Sequence, residues 1–198
     1  MTNWLLVPFA YLLGSVSTAV IVSRFSGLPD PRNAGSKNPG ATNVLRLGGK
    51  KAAVMTLLGD AGKGLIPILV ARYFEANNDI LAAVGLAAFL GHIYPVFFRF
   101  MGGKGVATAL GVLLGFSWAV GLAVFLTWIL TALITRYSSL SALVGASLAP
   151  VYVWFIGGYG GGPVFGAACA MTLLLISRHR GNIERLLSGT ESKIGKKR

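Results

Sequence analysis

The sequence predicts an all-α, polytopic membrane protein of about seven transmembrane helices, some of them short or re-entrant, forming one domain over residues 1–198. Three observations predict it. Apolar residues make up 54% of the 198 and charged ones 12%, with a mean hydropathy of +0.68. The apolar residues lie in runs near bilayer-spanning length with little amphipathic period, so lipid rather than water is the solvent they fit. Lys and Arg collect between alternate runs, as they do in cytoplasmic loops.

The first run, WLLVPFAYLLGSVSTAVIVSRF, follows an uncharged Met-Thr-Asn and carries Arg24 at its far end. A signal peptide has the opposite polarity, so this run reads as a retained helix with its N-terminus outside. KAAVMTLLGDAGKGLIPILVARYF and ILAAVGLAAFLGHIYPVFFRF are the next spans. Residues 105–135 read either as one overlong helix or as a hairpin broken near GFSWAVG, with arms of about 22 Å. Charge favours the hairpin. With it, SLSALVGASLAPVYVWFI and GPVFGAACAMTLLLIS complete seven spans and 16 of the 18 basic residues fall inside, including the whole tail RHRGNIERLLSGTESKIGKKR. Lys63 is left within a span and Arg72 outside.

The net charge of +12 needs no nucleic acid, because basic loops facing anionic lipid account for it and no nucleic-acid module accompanies it; KIGKKR reads as a membrane-surface tail. Cys169, alone in an apolar run, reads as a packing residue. No HExxH, Cys/His cluster, GxSxG elbow or nucleotide motif is present, and the six carboxylates are scattered, which leaves no basis for a metal, a cofactor or a covalent nucleophile.

What remains is polar loops at one membrane edge. In GSKNPGATN, Gly35 and Gly40 allow close backbone approach, Ser36, Asn38, Thr42 and Asn43 offer side-chain donors, and Lys37 and nearby Arg46 add positive charge. ATNVLR can open a helix there, with Thr42 or Asn43 near the capping position, so that its amides meet an anion such as phosphate. A plain turn between two helices uses the same residues. RFMGGKGVAT repeats the recipe with Gly102, Gly103, Lys104 and Gly105 at a helix start, which makes Lys104 the strongest phosphate candidate. In RHRGNIERLLSGTE, His179 and Asn182 stand three apart and can share a face; an amphipathic tail helix on the membrane is the alternative. Asp60 and Lys63 can pair at i, i+3 inside a span, and His92 precedes Pro95 near a helix end, fitting a packing histidine or a ligand contact. Transport of a phosphorylated solute would call for a midplane site in repeated halves, whereas these clusters sit at one edge.

GSKNPGATN, GHIYPVFFRFMGGKGVAT and RHRGNIERLLSGTE together resemble, in order and spacing over essentially the whole chain, the signature segments of the bacterial acyl-phosphate:glycerol-3-phosphate acyltransferases. Lys37 and Pro39 depart from the family pattern GSGNxGATN, and RYSSLSAL, which contains Ser139, is a looser match. The resemblance implies a seven-helix enzyme of the bacterial cytoplasmic (inner) membrane, its site facing the cytoplasm. It implies transfer of an acyl group from acyl phosphate to the 1-hydroxyl of glycerol 3-phosphate, giving lysophosphatidic acid and phosphate in the first step of phospholipid synthesis. It further implies no cofactor, and a functional link to the enzyme that makes acyl phosphate. By the same resemblance Ser36, Asn38, Lys104 and His179 stand closest to the chemistry. Ser36, Asn38 and neighbouring amides would hold the acyl phosphate; Arg46, Lys104, His179 and Asn182 would hold glycerol 3-phosphate; Gly35, Gly40, Thr42, Asn43, Gly102, Gly103, Gly105 and Ser139 would line the site. Attack by the hydroxyl needs a proton acceptor, for which a substrate phosphate oxygen and His179 compete; an unperturbed histidine titrates near neutrality.

Overall fold

The computed structural model describes residues 2–195, so Lys196, Lys197 and Arg198 of the basic tail lie outside the described residues. Those residues are helical with irregular connections: α1 (Leu6–Gly14), α2 (Thr18–Phe25), α3 (Ala41–Gly48), α4 (Lys50–Tyr73), α5 (Asn78–Ile93), α6 (Val106–Phe116), α7 (Trp118–Thr135), α8 (Ser138–Phe155), α9 (Pro163–Arg178) and α10 (Arg180–Leu187). Five segments among them are long and apolar enough to cross a membrane: Asn3–Phe25, Lys50–Tyr73, Asn78–Phe98, Trp118–Thr135 and Ser138–Phe155. The apolar helices α6 and α9 are shorter.

Two expectations are corrected here. The first span is not one helix: it breaks over residues 15–17, where Ser15 Oγ donates to the carbonyl of Tyr11 at 2.8 Å and competes with the helical ladder. Residues 105–135 do form two helices meeting at an extended Ser117, but the arms are unequal, 11 and 18 residues rather than two of about 22 Å.

Small residues let the helices approach to backbone contact, the means by which helices associate where lipid offers no hydrophobic drive. A Cβ on Gly64 would meet the carbonyl of Thr108 at 2.2 Å; one on Gly111 would meet that of Ala61 at 2.0 Å; one on Gly115 would touch Ile68. Helices α4 and α6 therefore run in the same direction, with the start of α6 level with the middle of α4. Phe89, Phe116, Ile68, Ile93 and Val112 fill the interior, while Leu58, Leu69, Leu130, Ile134 and Phe155 stay exposed on the outside, an apolar exterior suited to lipid.

Arg72, which charge counting leaves outside on its own, is not idle. Its guanidinium donates to the carbonyls of Gly115 (2.8 Å) and Phe116 and to Tyr159 Oη (2.8 Å), and Tyr159 Oη donates to Phe116 O at 2.5 Å. The open carbonyl end of the short α6 is thereby satisfied where no water is assured.

Candidate active site

The polar loops converge at the end of the bundle opposite Arg72. Gly35 (φ +62°) opens the first of them, in a left-handed conformation that a side chain would both strain and block, since a Cβ would lie 2.3 Å from Asn43 Oδ1. Asn43, 1% exposed, clamps this loop: Ser36 N donates to its Oδ1 at 2.8 Å, and its Nδ2 donates to the carbonyls of Pro31 (2.9 Å) and Ala34 (3.0 Å). The capping expectation is corrected accordingly. Gly40 is the N-cap of α3, and Thr42 and Asn43 lie inside the helix. Asn43 thus shapes the loop from within, whereas Ser36 stands exposed and Asn38 half-buried at its surface.

The second loop docks on the first and on the last helices. A Cβ on Gly103 would come within 2.9 Å of the carbonyl of Pro39. Arg178 donates to the carbonyls of Gly102 (3.1 Å) and Gly103 (3.3 Å), and Gly105 takes φ +85° as it turns into α6 against the ring of Phe89. Lys104 is thereby aimed at α10, where its Nζ donates to Asn182 Oδ1. From there Asn182 Nδ2 donates to Glu191 Oε1 at 2.8 Å, Ser139 Oγ donates to the same oxygen at 2.8 Å, and Arg185 Nε donates to Oε2 at 2.7 Å. Arg46 reaches the tail as well, donating to Ser192 Oγ at 2.7 Å, and the hydroxyls of Thr42 and Ser138 lie 3.3 Å apart. Lys104, Asn182, Ser139 and Arg46, far apart in sequence, are brought to one place.

Glu191 is the residue that sequence reasoning passed over. It counts there as one of six scattered carboxylates, and only its seat in the SGTE turn after α10 marks it out. Burial pushes its carboxyl up, but the hydrogen bonds from Asn182, Ser139 and Arg185 outweigh that and hold it below its ordinary value. Arg178, which hides in sequence as a span-flanking charge, is the second.

Burial also lowers Lys104, to about 8, and the positive charges of Arg185, Arg178 and Arg46 add to it against the opposing Glu191. His179 is 3% exposed, and its Nδ1 lies 2.8 Å from the carbonyl of Leu175, so that nitrogen carries the proton and Nε2 is the acceptor. Desolvation brings its pKa down to about 4, with Lys104 contributing. The expectation of a histidine titrating near neutrality is therefore corrected. The cluster gathers cations and hydrogen-bond donors near a neutral imidazole, an arrangement suited to an anion rather than to strong base catalysis.

The profile of the glycerol-3-phosphate acyltransferase family matches residues 4–189. A glycerol-3-phosphate acyltransferase from Methylococcus capsulatus is 66% identical over 196 residues, 99% of this chain and 98% of the relative. One from Burkholderia lata is 59% identical over 189 residues, 96% of this chain and 89% of the relative. The crystal structure of PlsY (YgiH), an integral membrane glycerol 3-phosphate acyltransferase, in its glycerol 3-phosphate form superposes with a TM-score of 0.92 at 45% identity, over 98% of this chain and 96% of that one. Its lysophosphatidic acid form gives 0.89 at 43% identity over the same shares.

Proposed function

The chain belongs to the glycerol-3-phosphate acyltransferase family, a multi-pass membrane family, and from that premise we propose that its acyl donor is an acyl phosphate and its products are lysophosphatidic acid and inorganic phosphate. The observation that carries this reading is the junction of Lys104, Asn182, Ser139 and Arg46 at one end of an apolar bundle. A water-soluble dianion needs such a cluster, and an acyl chain needs the apolar helices beside it. Glycerol 3-phosphate sits with its phosphate on Lys104 and Arg46 and a hydroxyl on Nε2 of His179 and on Asn182. The acyl phosphate lies against Ser36, Asn38 and the open amides of the first turn of α3. The seven apolar segments span the bacterial cytoplasmic membrane with the N-terminus outside, so both phosphates arrive from the cytoplasm.

In the reaction the 1-hydroxyl oxygen attacks the acyl carbonyl carbon, and the bond from that carbon to the phosphate oxygen breaks with its electron pair leaving on phosphate. The hydroxyl proton passes to a phosphate oxygen of the donor. His179, neutral and of low basicity, orients the hydroxyl, and loop amides stabilise the developing oxyanion.

The test is turnover by purified protein with acyl phosphate, acyl coenzyme A and acyl carrier protein as alternative donors, before and after dialysis against a chelator. Acyl phosphate is expected to be the better donor and chelation to have no effect. A thioester serving better, or a metal requirement, would contradict the donor assignment.

A further inference from the structure

Beneath the loop that carries Lys104 lies an ionic cluster that the transfer steps above do not use. Asp60 and Lys63 of α4 are 2% and 5% exposed and His92 of α5 is 6% exposed. Lys63 Nζ is 2.9 Å from Asp60 Oδ1 and donates to the carbonyl of Val16 at 2.7 Å, in the non-helical break of the first span. His92 Nδ1 lies 3.6 Å from the same carboxylate oxygen. The opposite edge of the ring faces the loop: a Cβ on Gly103 would meet His92 Nε2 at 2.3 Å, while Gly103 N donates to the carbonyl of His92 at 3.2 Å. Gly103 is thus held between the imidazole and the Pro39 carbonyl of the first loop.

Ionisable side chains inside a bilayer are costly and are retained where they pair or serve a function. The break accounts for two of these three. An unpartnered Val16 carbonyl in hydrocarbon needs a donor, Lys63 supplies it, and Asp60 neutralises Lys63. It does not account for His92, whose ring gives nothing to the break and presses its far edge on the loop. We propose that Asp60, Lys63 and His92 form a positioning unit in which His92, packed beside the Asp60 carboxylate without a hydrogen bond to it, is the strut that sets the height of loop 102–105 and so fixes where Lys104 meets the phosphate of glycerol 3-phosphate. The inference rests on the reading of Lys104 as a phosphate ligand.

The test is steady-state kinetics on the full-length protein in detergent, with glycerol 3-phosphate and acyl phosphate varied separately, for His92→Leu, His92→Gln and Asp60→Asn. His92→Leu should raise KM for glycerol 3-phosphate about tenfold or more and leave KM for acyl phosphate unchanged. It should also shift the basic limb of kcat/KM away from its parental pH, because a loop without its strut changes the burial of Lys104 among Arg46, Arg178, Arg185, His179 and Glu191. His92→Gln, which keeps a polar atom near the ring position, should recover most of the loss, and Asp60→Asn should shift KM the same way by less. A merely structural role would lower the melting temperature and the active fraction but leave KM and the limb alone. Parental values of both in His92→Leu overturn the proposal. Should that variant not fold, Gly103→Ala, which forces the loop off the ring from the other side, carries the test, and a parental KM there overturns it equally. Lys104→Ala in the same assay separates the two readings: an unchanged KM with that variant removes the phosphate site itself, whereas a raised KM beside parental His92 variants removes only the strut.

Discussion

At the scale of single residues, the pH dependence of activity follows from two groups held below their ordinary values. Lys104 in the free enzyme carries its charge below about 8 and loses it above, so kcat/KM for glycerol 3-phosphate should fall as pH rises through about 8. Bound phosphate favours the ammonium, so the corresponding limb of kcat should lie higher. Lys104→Ala should abolish the limb and cost 1.5 to 3 kcal/mol, about 10- to 150-fold in kcat/KM, as loss of a charge-assisted hydrogen bond does. His179, lowered to about 4, is neutral across the working range. His179→Gln should act mainly through KM for glycerol 3-phosphate and keep whatever acidic limb the parent shows; a parental limb near pH 6 to 7 that vanishes in the mutant would make histidine the base. Lys37 shows what an aligned motif conceals. It stands where the resembling family has glycine, and its φ of +57° is the left-handed conformation that glycine accepts freely. Lys37→Gly should therefore raise stability by about 0.5 to 1 kcal/mol, read as a higher thermal midpoint with activity retained. The motif glycines were legible as loop residues in sequence. The clamp by Asn43 was not, because its hydrogen bonds reach backbone carbonyls that no side-chain pattern records.

At the scale of elements, the spans were legible because lipid demands long apolar runs, and the helix boundaries less so because tertiary contacts decide them. The break at 15–17 carries Ser15, Val16 and Ser17, which mark no helix end in a hydropathy pattern, and its repair by Lys63 comes from another helix. The short α6 has a similar origin. Its eleven residues would leave open carbonyls in hydrocarbon were Arg72 and Tyr159 not there to close them. Arg72→Met keeps the apolar stem and removes the donors; Arg72 is itself exposed, so the change should destabilise the protein by about 1 to 3 kcal/mol, the scale of hydrogen bonds lost from a charged donor to helix-end carbonyls. Thermal unfolding in detergent measures this, with KM for both substrates expected to stay within about twofold in the protein that remains folded. A parental melting temperature would show that lipid or water caps α6 instead.

At the scale of the whole molecule, the distribution of basic residues predicts which end of the bundle faces the cytoplasm. In a Cys169→Ala background, Asn77→Cys should react with an impermeant maleimide on intact cells and Ser188→Cys only after permeabilisation; the reverse result would invert the topology. The gathering of distant loops into one site was legible only as a shared side of the membrane, since the contacts of Lys104 with Asn182 and of Glu191 with Ser139 depend on how the helices cross. The alignment of α4 with α6 has one more effect. Thr108 lies level with Gly64 rather than with Lys50, so the start of α6, and with it the loop that carries Lys104, is set back along α4, Gly64 lying about 21 Å from Lys50 at 1.5 Å per residue. On the proposed reading of Lys104, the phosphate of the acceptor is therefore met in a recess beside α4 rather than level with that helix's first residue. An acyl donor would reach that recess with its phosphate toward the cytoplasmic loops and its tail among the apolar helices, and the finished lysolipid would leave already oriented as a bilayer lipid is.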